Sequence, residues 1–195
     1  SPQAITLQVA FAGHNRAPDL GHRPPVLEGL LAAFNLIKAA HPGSVRLLTG
    51  LASGADELAA EAWRQAGLGP IHAVFPFLHD PEAPPIGPGG VAESATWLDG
   101  EAAEAEGRNP HLKQTRLIVE TADLLVVVWT GERARGAGGT ADAVRCALEL
   151  GLPLLWIRPS DPGALLLIRP ENLPSDFDFN EFQEALKGGH QTHVE

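Results

Sequence analysis

Residues 124–129 have the sequence LLVVVW, an unbroken apolar run with no polar alternation, and this run restricts the fold more than any other segment. A strand with one face in water alternates apolar and polar side chains, whereas a strand in a parallel sheet is covered by helices on both faces and is apolar throughout. The run is flanked by longer amphipathic stretches, as in sheets whose parallel strands are joined by crossover helices. We therefore predict an α/β fold.

Short apolar runs alternate with amphipathic stretches along the rest of the chain. The predicted strands are residues 5–12, 45–49, 71–75, 124–129 and 153–157, with an edge strand at 165–168. The predicted helices are residues 24–40, 54–66, 91–106, 109–121, a helix that runs from the loop at 131–139 through residue 150, and 180–186.

Residues 78–90 contain four prolines and three glycines, so we predict a long loop there. The segment 91–106 is strongly acidic and is predicted to be a solvated helix. The whole chain, residues 1–195, is predicted to be a single domain with a doubly wound, mostly parallel Rossmann-like sheet of at least five strands and helices on both faces.

The charge balance weakens several classes of partner. There are 24 acidic and 14 basic residues, giving a net charge of −10, which argues against a broad electrostatic surface for nucleic acid or anionic lipid. The single Cys146 provides no disulfide framework, so we expect a reducing compartment, the cytoplasm. No run approaches the ~20 apolar residues of a membrane span, and the N-terminus lacks the order of a signal peptide.

The sequence begins with Ser1 and contains no methionine. We interpret this as the mark either of a domain cut from a longer polypeptide or of an artificial boundary. If the first is correct, this domain is attached to a second one in the natural chain.

Ligands of open parallel sheets bind beyond the carboxyl ends of the strands, so the loops that follow the strands are the candidate sites. The loop at 130–140 has the sequence TGERARGAGGT and precedes a helix. Its glycines allow a ligand to approach the backbone, and the helix start offers unpaired amides to a phosphate. Arg133 and Arg135 add guanidinium groups, although the same loop is also compatible with a tight turn and solvated arginines.

The loops after the first and second strands complete the predicted site. Residues 50–56 pass from strand to helix through small residues, and Asp56 either caps the helix or holds a ribose hydroxyl. Asn15 and Arg16 are candidates for contacts to a sugar or phosphate. The candidate ligand-binding residues are Gly13, His14, Asn15, Arg16, Thr49, Gly50, Ser53, Gly54, Asp56, Arg133, Arg135, Gly136, Gly138, Gly139 and Thr140.

Several familiar motifs are excluded. A nucleophile elbow requires serine in the middle of G-x-S-x-G, but that position of residues 50–54 is Ala52. The loop at 130–140 has no lysine and is not a P-loop, and the G-x-G-x-x-A at 136–141 follows the wrong strand for an NAD fingerprint. The histidines lack paired metal-ligand spacing, and Cys146 lies inside a predicted helix. We predict no metal, no cofactor and no covalent nucleophile.

Taken together, LLTG at 47–50 with GAD at 54–56, the pair Arg108 and Asn109, and residues 123–129 followed by GGT at 138–140 resemble the SLOG superfamily of Rossmann-like domains. This superfamily includes the DNA-processing protein A family, the LONELY GUY phosphoribohydrolases and nucleotide-sensing domains of bacterial conflict systems. The resemblance covers roughly residues 5–158.

The resemblance implies different functions for different branches. The phosphoribohydrolases have a catalytic glutamate in P-G-G-x-G-T-x-x-E, and alignment on Gly139 and Thr140 places Ala143 there, with Asp142 one residue away. A phosphoribohydrolase activity is therefore not favoured, and no catalytic residue is assigned. The DNA-processing branch requires a basic groove for single strands. The charge of −10 opposes such a groove, although five basic residues keep the hypothesis open: Arg108, Lys113, Arg116, Arg133 and Arg135.

The remaining branch implies a sensor that binds a nucleotide-derived signal, such as ADP-ribose or a cyclic ADP-ribose isomer. Binding is expected to regulate an attached or partner effector in bacterial anti-phage defence and to involve a homo-oligomer. A phosphoribohydrolase-like enzyme and a single-stranded DNA-binding module are the alternatives.

Overall fold

The computed structural model describes residues 5–15, 22–133 and 136–187. Its strands are β1 (Leu7–Gly13), β2 (Val45–Thr49), β3 (Ile71–Phe75), β4 (Ser94–Trp97), β5 (Leu124–Val128), β6 (Leu154–Arg158) and β7 (Asp161–Ile168). They form one sheet in the order β4-β3-β2-β1-β5-β6-β7. Every neighbouring pair is parallel except β6 and β7, which are antiparallel. The predicted doubly wound α/β fold is confirmed.

Helices cover both faces of the sheet. They are α1 (Arg23–Ala40), α2 (Ala55–Gln65), α3 (Gly100–Ala105), α4 (Pro110–Thr121), α5 (Thr140–Glu149) and α6 (Phe179–Lys187). On one face α1 and α2 bury Phe34 and Trp63, whose rings meet edge to face at 5.1 Å between centroids. On the other face α4, α5 and α6 pack around Trp129. None of the helices in the described ranges has the length and hydropathy of a membrane-spanning segment.

The strand β5 has the double burial that its sequence predicts. Val126 and Val128 belong to the apolar cluster under α1 and α2, whereas Leu125 and Val127 belong to the cluster under α4 and α5. Alternate side chains point to opposite faces of a strand, so an apolar run is required wherever both faces are covered. Because β1 lies between β2 and β5, the winding of the sheet reverses beside β1, where a crevice opens at the carboxyl ends of the strands.

The predicted helix at residues 91–106 is wrong over its first half. Ser94–Trp97 is the edge strand β4, parallel to β3, and the helix α3 covers only Gly100–Ala105. Glu93 fixes this edge because one carboxylate oxygen accepts a hydrogen bond from the Ile71 amide at 2.7 Å while the other pairs with Arg64. These bonds, led by that to Arg64, lower the pKa of Glu93. The acidic spacing that suggested a helix thus includes a residue that anchors a strand.

The helix α3 begins at a local signal within the same segment. Asp99 is its N-cap, and its side chain accepts a hydrogen bond from the Ala102 amide at 3.0 Å. The edge strand predicted at 165–168 is confirmed as part of β7, which is longer because the chain reverses directly after β6 and pairs from Asp161 onward. The loop predicted at 78–90 contains no helix and no extended strand.

Candidate functional site

A cavity of about 410 Å³ lies at the carboxyl edge of the sheet, beside the reversal of winding. Its walls come from the loops that follow β1, β2 and β5, from one side of α4 and from the start of α5. The volume falls within the ~300–1,000 Å³ of typical small-molecule sites. Part of its lining is apolar and buried, and includes the side chains of Phe11, Ile118, Val119 and Trp129.

The structure brings most of the candidate residues of the three loops to this cavity. Those that line it are Gly13, His14, Asn15, Gly50, Asp56, Arg133, Gly136, Gly138, Gly139 and Thr140. Three do not line it: Thr49, Ser53 and Gly54. The other two candidates, Arg16 and Arg135, lie outside the described residues.

The glycine-rich loop before α5 is pressed against α4. Gly138 has φ +80°, and a Cβ built there would lie 2.4 Å from the carbonyl carbon of His111. Thr115 of α4 also holds the loop in this position, because its hydroxyl donates a hydrogen bond to the Gly138 carbonyl at 2.9 Å. The sequence therefore needs glycine at position 138 for both backbone conformation and close approach.

The start of α5 presents backbone amides at the cavity wall. The first helical hydrogen bond runs from the Ala143 amide to the Gly139 carbonyl at 3.2 Å, so the amides ahead of it have no acceptor within the helix. Asp142 closes the loop by accepting from the Gly138 amide at 2.8 Å. Thr140 and Ala141 line the cavity with their amides unpaired in the helix. Such a helix start attracts an anionic group.

The start of α2 is arranged differently, because a backbone carbonyl of the loop after β1 already accepts a hydrogen bond from it. The Ala55 amide donates to the His14 carbonyl at 3.0 Å. Gly54, with φ +86°, allows this approach, since a Cβ there would lie 2.7 Å from the Asn15 Cα. Ser53 is exposed and lies outside the cavity lining. Of the two helix starts predicted to face a phosphate, α5 is therefore the more open.

Asp56 is a carboxyl group held by hydrogen bonds at the edge of the cavity. Its Oδ2 accepts from the Ala52 amide at 2.9 Å, and the hydroxyl of the buried Thr49 donates to the same carboxylate. Burial outweighs both bonds and raises the pKa of Asp56 to about 7, with a smaller contribution from the charge of Glu57. Thr49 thus acts through Asp56, and the carboxyl is partly protonated at neutral pH.

Two further candidate side chains already have protein partners. His14 Nε2 accepts a hydrogen bond from the Thr130 amide at 3.0 Å, which ties the loop after β1 to the loop after β5. Arg133 pairs with Glu184 of α6 at 2.7 Å between Nη2 and Oε1, with both side chains more than half exposed. An exposed pair of this kind is weak, at about 0–1 kcal/mol, so the guanidinium remains available to an anion at small cost.

Sequence reasoning missed the contribution of α4. His111, Gln114 and Thr115 line the cavity, and the Gln114 side-chain amide donates to the Val74 carbonyl at 2.7 Å. The one available signal was Asn109, whose side chain caps α4 by accepting from the amides of His111 and Leu112. That signal locates the helix start but does not reveal which sheet edge the helix crosses.

The described part of the chain brings together no group of three His, Cys, Asp or Glu side chains suited to a metal ion. The described lining of the cavity offers backbone amides, hydroxyls, side-chain amides, imidazoles, the carboxyls of Asp56 and Glu132, and the guanidinium of Arg133. This donor set suits an organic ligand with an anionic group.

No protein-family model and no curated protein matches the chain. Among solved structures, it is similar to the molybdenum cofactor binding protein of Rippkaea orientalis, with a TM-score of 0.52 and 17% identity over 96% of this chain and 87% of that one. It is also similar to the molybdenum cofactor carrier protein of Chlamydomonas reinhardtii, with a TM-score of 0.50 and 17% identity over 94% and 86%.

A third similar structure is DNA processing protein A of Streptococcus pneumoniae, with a TM-score of 0.48 and 16% identity over 94% of this chain but only 56% of that one. The chain thus spans about half the length of that protein. The two structures with TM-scores of 0.50 or more share the Rossmann-like fold, so the resemblance inferred from the sequence motifs is confirmed at the level of the fold. At these identities the likeness extends no further than the fold.

Proposed function

We propose that this domain binds a small nucleotide derivative with its phosphate groups at the start of α5, and that ADP-ribose or a cyclic ADP-ribose isomer represents the ligand class. The observation that carries the proposal is the position of the α5 amides. The residues that carry them line a ligand-sized cavity beside the reversal of winding. The preceding Gly138 packs its backbone against α4.

The electrostatics of the cavity support a small anion better than a long polyanion. Within the described lining, Arg133 is accompanied by two carboxyls, Asp56 and Glu132. The attraction for an anion therefore comes from the start of α5 and acts only over a short distance. Partial protonation of Asp56 reduces the repulsion that its carboxylate would exert on the anion. Arg16 and Arg135 remain candidates for phosphate contacts on their sequence positions alone.

A thermal-shift screen tests this proposal. ADP-ribose, AMP and cyclic ADP-ribose isomers are compared with adenosine, which is the matched ligand without phosphate. A nucleotide at 100 times its Kd is expected to stabilise the folded domain by about 2.7 kcal/mol and to raise Tm accordingly. If adenosine raises Tm as much as the nucleotides do, or if none of these compounds does, the proposed phosphate site is wrong.

Carriage of the molybdenum cofactor is the second candidate function. It is supported by the two solved structures with TM-scores of 0.50 or more, which are described as a molybdenum cofactor binding protein and a carrier protein. The same screen with the isolated cofactor separates the two candidates, because a carrier is expected to gain more stability from the cofactor than from any nucleotide.

Two alternatives from the sequence have distinct readouts. The position of the phosphoribohydrolase glutamate holds Ala143, a buried residue of the cavity lining, so hydrolysis would have to use another group. If chromatography detects the release of free base from AMP, the protein is an enzyme and a role in binding alone is contradicted. Salt-dependent retardation of single-stranded oligonucleotides would favour a DNA-binding module.

We propose further that this domain acts as a sensor. In this role, the bound nucleotide shifts the association of this domain with a second copy or with an effector, in the cytoplasm and in anti-phage defence. Sedimentation of the domain with and without ADP-ribose tests the first step. An unchanged distribution of oligomers at saturation would leave binding intact but contradict sensing through self-association.

A further inference from the structure

A second, smaller cavity of about 120 Å³ lies on the α4 face of the sheet. Its polar lining comes from the early parts of β2 and β3, from β4 and from the far end of α4: Arg46, His72, Thr96 and Thr121. Its remaining lining is aliphatic and comes from β2, β3 and α4. A cavity needs only ~10–15 Å³ of probe-occupied volume to hold one water, so this one has room for a small polyatomic group.

Arg46 brings an unbalanced positive charge to this cavity. Its Nε donates to the side-chain oxygen of Gln8 at 2.7 Å, a neutral acceptor on β1. No carboxylate among the described residues forms an ion pair with it. A guanidinium has five N–H donors in a fork that matches an oxyanion, and a single neutral partner leaves most of that capacity unused.

His72 lies next to this charge and is sensitive to it. Its Nδ1 lies 2.6 Å from the Ser94 hydroxyl and its Nε2 lies 2.8 Å from the Thr96 hydroxyl, so the ring is held on both sides. Burial lowers the pKa of His72, and the charge of Arg46 lowers it further. A neutral imidazole donates to one of these hydroxyls and accepts from the other, so one hydroxyl keeps its own proton for another acceptor.

From these groups we propose that the small cavity binds an oxyanion, either a carboxylate with a short aliphatic stem or inorganic phosphate, through the guanidinium of Arg46. The Thr96 hydroxyl supplies an additional donor when the imidazole donates to it, and the aliphatic wall accepts the stem of a carboxylate. This site is separate from the nucleotide cavity, although Ile118 of α4 contributes to the lining of both.

A purely structural role for Arg46 makes a different prediction. Thr121 is the last residue of α4, and the carbonyl end of a helix is stabilised by a nearby cation. If Arg46 only stabilises this helix end, its replacement lowers stability, but added anions leave the surroundings of His72 unchanged. The imidazole therefore serves as a local reporter that distinguishes the two roles.

The test is an NMR titration of the His72 ring protons against pH, assigned with His72→Asn, in chloride, in sodium acetate and in sodium phosphate at equal ionic strength. Acetate or phosphate is expected to raise the pKa of His72 by about 1, because the bound anion offsets the charge of Arg46. The response is expected to saturate with anion concentration and to disappear in Arg46→Gln.

Arg169→Gln is the matched control, because Arg169 is exposed and follows β7, at the opposite edge of the sheet from β4. Its response is expected to equal that of the wild type. If Arg46→Gln fails to fold, Arg46→Lys replaces it and is expected to keep a weaker response, since lysine retains the charge but loses the fork. An unchanged His72 pKa in both anions, or an equal response in Arg46→Gln, would overturn the site. A response of the His72 pKa to acetate alone would identify the ligand as a carboxylate, and a response to phosphate alone would identify it as phosphate.

Discussion

Gly138→Ala is expected to abolish nucleotide binding and to lower the free energy of unfolding by roughly 2–5 kcal/mol. About 1–2 kcal/mol comes from placing a side chain at φ +80°, and about 1–3 kcal/mol from overpacking against the backbone of His111. Relief of the clash must move the loop away from α4 and break the hydrogen bond from Thr115. The start of α5 then no longer meets the ligand in the same position.

Gly151→Ala is the matched control for this change. Gly151 has φ +74°, but a Cβ at this position would have no atom within 4 Å, and the residue follows the opposite end of α5. It is expected to lose only about 1–2 kcal/mol and to keep full affinity. Urea denaturation measures the stabilities and calorimetry with ADP-ribose measures the affinities. If Gly138→Ala binds as tightly as Gly151→Ala, the loop does not form the phosphate site.

Asp56→Asn is expected to remove a pH-dependent loss of stability. In the folded domain Asp56 has a pKa of about 7, against 3.8 for an unperturbed carboxyl, so between these values the folded state retains a proton that the unfolded chain has lost. Stability from this group is complete below pH 4 and falls by about 1.4 kcal/mol for each pH unit up to pH 7. The difference in unfolding free energy between wild type and Asp56→Asn should follow this slope, because the other titrating groups contribute equally to both proteins and cancel in the difference.

The same substitution tests the ligand. Above pH 7 the ionised Asp56 repels a phosphate, so wild-type affinity for ADP-ribose is expected to decrease from pH 6 to pH 8, whereas the affinity of Asp56→Asn changes less. The pyrophosphate of ADP-ribose keeps its charge over this range. Denaturation curves at pH 4, 6 and 8, with calorimetry at pH 6 and 8, provide both readouts. A constant stability difference across these pH values would show that Asp56 has an ordinary pKa.

The sequence predicted those parts of the structure that depend on local patterns. The run at 124–129 indicated a doubly covered strand, and the loops after the strands had to meet at one sheet edge because the strands are parallel. The edge strand β4 was missed because it has only four residues and lies between acidic residues whose spacing suggested a helix. Its position depends on the pairing of Glu93 with Arg64 and with the Ile71 amide, which is a tertiary feature.

Within the candidate site, the failures also concern contacts between distant segments. The contribution of Gln114 and Thr115 depends on how α4 crosses the sheet, which the sequence does not specify. The pairing of Arg133 with Glu184 joins segments 51 residues apart. The occupation of the α2 start by the His14 carbonyl requires a loop that precedes α2 by some 40 residues. Local patterns locate such segments but do not determine which groups they leave available.

The most direct test of the proposed function is the response of the backbone amides at the start of α5 to a nucleotide. The domain is labelled with ¹⁵N and titrated with ADP-ribose, and the amide resonances of residues 138–141 are compared with those of residues 55–58 at the α2 start. The largest, saturable shifts are expected at residues 138–141, and adenosine is expected to leave them unchanged. Saturable binding of ADP-ribose that leaves residues 138–141 unperturbed would contradict the assignment of the phosphate site to α5.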